Sequence, residues 1–240
     1  MHIFIISWGT HHDNALYIAE QLKQTSSKIS IVYSDINPEL RLQTFCNLIQ
    51  RPNHLYFGDK FQACLNAFQE DLMFIIHADC NCDDWHHIVM TAQSTMFSSP
   101  NIGIWAPKIE FSQVNIQSAS LFTIYSSPLT VVTQTDLIVA CFAKSVVERL
   151  KQANYEKNIY GWGIDAMAAA FAYSHNMCAV IDSSMHVKHP SSRAYDDEAA
   201  KIQGNEFLKQ LNLLEVVQNQ MLWAHMRYLN AIGQQKNKKH

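Results

Sequence analysis

In its first 100 residues the chain alternates strand-like and helix-like stretches four times. Apolar runs at residues 2–7 (HIFIIS), 28–33 (KISIVY) and 72–76 (LMFII), with a shorter one at 54–57, are each followed by turn formers and then by helical spacing. The predicted helices cover 14–23, 38–50, 60–69 and 85–97. In 14–23 the apolar positions are Ala15, Ile18, Ala19 and Leu22. In 60–69 they are Phe61, Cys64, Leu65 and Phe68, which fall on one helical face. Parallel strands need a crossover between them, and crossover helices cover the sheet. The expected fold class is therefore α/β, a single Rossmann-like mixed sheet, mostly parallel, with helices on both faces. The first turn, Ser7-Trp8-Gly9-Thr10, lacks the G-x-G-x-x-G pattern, and no G-x-x-x-x-G-K-[ST] loop occurs. Both absences weigh against a dinucleotide or P-loop nucleotide site.

The second half changes character. Residues 101–111, 120–126 and the Val-, Thr- and Ile-rich run 129–141 read as strands, and 143–151 as a helix. A loop follows at 154–163, then an Ala-rich helix at 164–175, a strand at 177–182 and a loop at 186–195. Residues 197–231 read as mostly helical. Composition narrows the function classes. Hydrophobic residues make up 48% of the 240, enough for a sizeable core. The net charge of −3 argues against nucleic acid as a partner, since phosphate contacts need concentrated Lys and Arg. Among the six cysteines only Cys80 and Cys82 lie close together, a poor zinc pattern. No basic n-region precedes the first apolar run, and no apolar stretch is long enough to span a bilayer. The expectation is a cytoplasmic protein with reduced thiols.

Three segments could carry chemistry. The first is 71–85, DLMFIIHADCNCDDW, where an apolar strand runs straight into His77, Asp79, Asn81, Asp83 and Asp84. Ligands bind at the carboxyl ends of strands in open α/β sheets, and carboxylates there can hold a hard divalent cation. The same residues also suit a cap for a helix starting at Trp85. The second is Tyr160-Gly161-Trp162-Gly163-Ile164-Asp165. Its glycines let backbone approach a ligand, Trp162 offers a ring to a sugar face, and Asp165 could be a general base. Asp165 could equally be a first-turn acid favoured by the helix dipole. The third is Met185-His186-Val187-Lys188-His189, followed by Arg193. Two histidines three apart in an extended segment point different ways, so only one faces a given site.

Taken in order, these pieces resemble the GT-A fold glycosyltransferases, especially family-2-like nucleotide-sugar transferases, over roughly residues 1–200. The resembling parts are the Ile5-Ile6-Ser7-Trp8 turn, the acid ending the second strand at Ser34-Asp35, and the Gly58-Asp59-Lys60 helix start with Ala63 and Asn66. They continue with His77-Ala78-Asp79 in the place of the D-x-D metal motif, Trp162-Gly163-Ile164-Asp165 at a helix start, and a late histidine. Two positions depart from the pattern: His77 replaces the first Asp, and Ile164 replaces an acid. The resemblance implies a GT-A domain over 1–233 with a nucleotide-binding half at 1–100, an acceptor and catalytic half at 101–200, and a helical region at 201–233 before a mobile tail at 234–240. It implies a nucleotide-diphosphate sugar donor, most often a uridine one, a glycan or other hydroxyl acceptor, and Mn²⁺ or Mg²⁺. The metal would sit on Asp79 and His189, with His186 and Asn81 as lesser candidates. Ser7, Trp8, Asp35, Lys60, His77, Asp79, Trp162 and Arg193 would meet the donor, and Asp165 would be the base of an inverting transfer. Rival readings are a sugar-phosphate nucleotidyltransferase and a catalytically decayed GT-A-like binding protein. The apolar positions of 207–232 are expected to pack on the core, with a membrane face or a second copy as the other uses of that helix.

Overall fold

The computed structural model describes residues 1–34, 45–111, 119–190 and 195–237, with side chains described to 232. The strands are β1 (His2–Ser7), β2 (Lys28–Ser34), β3 (Asn47–Arg51), β4 (Leu72–His77), β5 (Ile102–Glu110), β6 (Ser120–Thr123), β7 (Leu129–Val132), β8 (Val139–Ala143) and β9 (Cys178–Lys188). The helices are α1 (His12–Leu22), α2 (Phe57–Ala67), α3 (Trp85–Ser98), α4 (Lys144–Lys151), α5 (Ile164–Ser174), α6 (Asp197–Phe207) and α7 (Leu213–Asn237). All nine strands form one sheet in the order β3-β2-β1-β4-β8-β5-β9-β7-β6.

β1 lies deep in this sheet and every one of its residues is buried. Successive side chains serve opposite faces. Ile3 and Ile5 pack with Ala15 and Ile18 of α1 and Ala92 of α3. Phe4 and Ile6 pack with Phe61 and Leu65 of α2. Helices on both faces explain why the strand is apolar without a break from Ile3 to Ile6 rather than alternating. Each such fully buried side chain contributes about 1.5–3 kcal/mol.

The sheet is not mostly parallel. Its first four strands pair in parallel, as do β5 and β9. The remaining contacts, β4 with β8, β5 with β8, β7 with β9 and β6 with β7, are antiparallel. The reason is that β8 enters between β4 and β5 in the reverse direction, and the β6–β7 hairpin closes one edge. Residues 47–50, expected in a helix, are strand: Leu48 and Ile49 pair with Ile31 and Val32, and that tertiary pairing overrides local propensity. Of the rest of that expected helix, residues 45–46 form a bend leading into β3, and 38–44 lie outside the described residues. The short strand expected at 54–57 is replaced by a turn leading into α2. The single strand expected at 129–141 is two, parted by residues 133–138, and β9 runs on past 182 to Lys188.

α7 is anchored through a buried ion pair. Arg149 of α4 donates to the Glu215 carboxylate through Nε at 2.6 Å and Nη2 at 2.8 Å. Glu215 is fully buried, so removing its partner should cost about 3–5 kcal/mol. The apolar stripe expected to pack on the core does so only in part. Phe207 and Leu222 are buried, but Leu214, Val217 and Met221 are exposed. Among the described residues no helix is long and apolar enough to cross a membrane.

Candidate active site

The site is built where β4 ends. The backbone there is pinned from three directions. His77 donates its N–H to the carbonyl of Ile138 and Ala78 to that of Ile6, both at 2.9 Å. The Asn14 side-chain amide donates to the carbonyls of Ala78 and Cys80 at 2.7 and 2.9 Å. The turn carrying Asp79 is therefore fixed before any ligand arrives. Two residues later Asn81 exchanges backbone bonds of 2.9 and 2.8 Å with Lys188, which brings the end of β9 alongside. Burial alternates there: Met185 and Val187 are buried, while His186 and Lys188 are exposed. His189 falls on the inner side, with Nε2 3.4 Å from Asp79 Oδ2.

His77, Asp79 and His189 each offer one ligand atom, and these atoms lie within 4.8 Å of one another. Two imidazole nitrogens and a carboxylate oxygen suit a first-row divalent ion. His77 Nε2 is buried and has no hydrogen-bond partner among the described residues, as befits a ligand atom. Burial lowers the His77 pKa to about 4 despite the nearby Asp79 charge, so its ring is neutral at neutral pH and its lone pair is available. Burial pushes the Asp79 carboxyl up, but the His189 hydrogen bond and the His77, His189 and His11 rings outweigh it and hold Asp79 below its ordinary value. Asp79 is thus ionised at neutral pH, as a ligand carboxylate has to be. Trp8 and Phe57 wall the cluster, their rings 5.4 and 4.9 Å from that of His77.

Phe57 opens α2, and the next residue ties this end of the site to the second segment. Gly58 donates to the Ile159 carbonyl at 2.9 Å. A Cβ at Gly58 would stand 1.8 Å from the Asn158 carbonyl oxygen, so only glycine permits the approach. The loop itself turns through Gly161 and Gly163, with φ of +79° and +85°, the left-handed region that favours glycine. Asn158 clamps it, accepting from the Gly161 N–H at 3.1 Å and donating to the Trp162 carbonyl at 2.9 Å. Trp162 donates its indole N–H to the Tyr195 hydroxyl at 3.0 Å. Tyr195 stacks on Tyr160 at 5.1 Å, and Tyr56 packs on Tyr160 at 5.0 Å.

Asp165 sits in the first turn of α5. Burial raises its pKa to about 6, against a backbone N–H bond that lowers it, and the Asp136 charge adds to the rise. Asp136 belongs to the segment between β7 and β8 and was not singled out in the sequence. Its charge raises the pKa of Asp165 and, more weakly than burial lowers it, that of His77. The four polar residues Thr133-Gln134-Thr135-Asp136 inside an apolar run were a turn signal that could have exposed it.

The other expected site residues are distributed as follows. Trp8 lies against the cluster. Ser7 is fully buried, and its hydroxyl is bonded to His12 Nδ1 at 2.8 Å. Lys60 is also buried, with Nζ donating to the Leu55 carbonyl at 2.7 Å. The side chains of both are engaged within the protein. Asn81 is exposed, and its backbone rather than its side chain serves the site by holding β9. Asp35 and Arg193 lie outside the described residues.

No family model matches the sequence, and no curated protein does. Solved structures do match in shape. A mannosyltransferase from Pyrobaculum calidifontis, in complex with GDP-Man and Mn²⁺, superposes with a TM-score of 0.57 at 10% identity, covering 96% of this chain and 74% of that one. GalNAc-T7, solved with UDP, GalNAc and Mn²⁺, gives 0.64 at 6% identity, covering 87% of this chain and 47% of that one. A UDP-glucose pyrophosphorylase complexed with UDP-glucose gives 0.55 at 9% identity, covering 88% of this chain and 99% of that one. The mixed sheet, its paired helical layers and these superpositions together establish that the chain has a GT-A-type fold.

Proposed function

We propose that this protein is a metal-dependent glycosyltransferase that moves a sugar from a nucleotide-diphosphate sugar, in the uridine or guanosine class, to a hydroxyl acceptor with inversion. The observation that carries the reading is the cluster of His77, Asp79 and His189 at the end of β4. Phe57, whose ring packs on His77, and Gly58, which bonds to Ile159, tie to it the loop that leads into Asp165, a carboxyl of raised pKa. Those three residues would hold Mn²⁺ or Mg²⁺, and the two imidazoles lean towards Mn²⁺. When bound, the ion supplies charge neutralisation for a departing diphosphate. Everything else in the reaction falls to the chain. Asp165 takes the proton of the acceptor hydroxyl while the acceptor oxygen bonds to the anomeric carbon. The bond from that carbon to the diphosphate oxygen breaks, and the nucleotide leaves with the electron pair. A carboxyl with a pKa of about 6 is a better match to neutral-pH base catalysis than an ordinary aspartate. Trp8 and Phe57 keep water from the ligand end, and the loop around Trp162 offers aromatic surface at the base end.

A sugar-phosphate nucleotidyltransferase shares the fold, but the first turn here carries no Arg or Lys with which to hold a triphosphate. That reading is not favoured. The test is a panel of UDP- and GDP-sugars scored by thermal shift with and without Mn²⁺, followed by donor hydrolysis. The proposal expects Mn²⁺-dependent stabilisation by at least one nucleotide sugar and slow release of its nucleotide diphosphate. Stabilisation by nucleoside triphosphates and sugar 1-phosphates alone would overturn it.

A further inference from the structure

The proposed reaction makes no use of α7, whose two sides differ. The inner side is committed to the body of the protein. α7 packs against α5, Glu215 and Leu222 are buried, and His225 Nε2 is bonded to the Ser120 carbonyl at 3.0 Å. The outer side carries Leu214, Val217, Met221, Ala224, Tyr228 and Ala231, all exposed. Their spacing alternates between three and four residues. That is the a/d repeat of a helix pair, narrower than the stripe a helix lays on a globular core. Leu214, Val217, Met221 and Tyr228 are 65%, 46%, 62% and 64% exposed, so these large side chains are uncovered in the single chain.

We infer that this side of α7 is the contact between two copies of the chain, joined antiparallel about a two-fold axis between Met221 and Ala224. The seam is self-complementary in that register. Leu214 of one copy faces Ala231 of the other, Val217 faces Tyr228, and Met221 faces Ala224. In every layer a smaller side chain meets a larger one, which lets the layers interdigitate. A parallel pair would set Ala224 on Ala224 and Tyr228 on Tyr228, a void beside a crowded layer. One surface meeting itself about a two-fold is also the commonest route to a closed oligomer. The area suffices. With Leu213 and Trp223, at 80% and 42% exposure, six large apolar side chains are open on this helix. At about 100 Å² each they present on the order of 600 Å² per copy, close to the roughly 800 Å² per partner of a stable interface. Charge favours a second copy over a membrane. A helix lying on lipid carries Lys and Arg along its polar flanks, whereas between 213 and 232 the only such residue is Arg227. The positions bordering the seam are Gln218, Gln220, His225 and Arg227, and the antiparallel register sets Arg227 beside Gln220, so no like charges meet.

The experiment is sedimentation equilibrium of the full chain at about 50 µM, above the micromolar dissociation constants that interfaces of this size reach. Every variant is first checked for the far-ultraviolet circular dichroism of the wild type, which substitutions at exposed positions should preserve. The wild type should be a dimer. Met221→Lys should weaken it by about 100-fold or more, since each copy then buries an unpaired charge. The register has a separate check. Val217→Lys and Tyr228→Glu should each be monomeric, and the double variant should dimerise again, because each lysine then faces the glutamate of the other copy. Within one helix the two positions lie about 16 Å apart, so they cannot pair in a monomer. A monomeric wild type would overturn the inference. If that monomer also floats with vesicles of phosphatidylcholine and phosphatidylserine, the face belongs to a lipid surface instead. A dimer indifferent to Met221→Lys would overturn it by placing the contact elsewhere. A double variant that stays monomeric would overturn the antiparallel register.

Discussion

Two aspartates, Asp79 and Asp165, are the same side chain turned to opposite effect by their surroundings. Asp79 stands among imidazoles, and the His189 hydrogen bond with the neighbouring rings holds its carboxyl below the ordinary value despite burial. Asp165 is half-buried, and desolvation, with the Asp136 charge adding to it, raises its pKa from 3.8 to about 6. One aspartate is thereby fitted to hold a cation and the other to accept a proton. Environments that push two carboxyls apart in this way assign their roles more firmly than their identities can.

The comparison can be broken most forcefully at the ligand end. Asp79→Ala should abolish Mn²⁺-dependent donor binding and cut transfer by on the order of 10³-fold, several kcal/mol of lost charge stabilisation. Calorimetric titration of Mn²⁺ with UDP or GDP checks the first half, and initial rates check the second. At the other end, Asp165→Asn should keep donor binding and lose about 10²–10⁴-fold in turnover, the usual worth of a general base. A variant that transfers sugar at the wild-type rate would reduce Asp165 to a first-turn helix residue.

The raised pKa sharpens the contrast further, because it predicts opposite trends for activity and stability. Activity should climb as pH rises through about 6, where the Asp165 carboxylate forms. Stability should move the other way. The folded state holds the proton to higher pH than the unfolded chain does, so the Asp165 penalty is absent below 3.8, builds between 3.8 and about 6, and is complete above. Asp165→Asn should therefore be more stable than the wild type at pH 7, by about 1–2 kcal/mol after discounting for partial exposure, with the difference vanishing in acid. Unfolding midpoints across the pH range measure this directly. The smallest effect expected is at His186. His186→Ala should leave Mn²⁺ affinity within about twofold, as an exposed side chain away from the cluster, whereas His189→Ala should lose it.

Legibility in the sequence follows the same division. The ligand end was readable because its pieces are local. An apolar run gives β4, the Asp79 turn follows it directly, and strand alternation says that only one of His186 and His189 can face inward. His77 was the exception among them. It was assigned to the donor rather than the metal because a histidine stood where a carboxylate was expected, and only its proximity to Asp79 and His189 makes it a third candidate ligand. The base end was harder. Asp165 could be named from its place at a helix start, but its raised pKa depends on burial and on Asp136, some thirty residues away in sequence. Asp136 itself was hidden by the reading of 129–141 as one strand, since β-branched residues on both sides masked four polar ones between. The same limit applies to β3, where Leu48 and Ile49 become strand only because β2 is there to pair with them. Ser7 shows the converse: a strand-end hydroxyl expected to meet a donor is bonded to a histidine five residues on, a partner that local reading does not supply.

The most direct test of the account is the electron spin-echo spectrum of Mn²⁺ bound to the protein with UDP or GDP. Imidazole ligation by His77 and His189 predicts nitrogen couplings from two rings, with one set lost in His77→Ala and the other in His189→Ala. A spectrum of hydrated Mn²⁺ with phosphate couplings alone, unchanged in both variants, would contradict it.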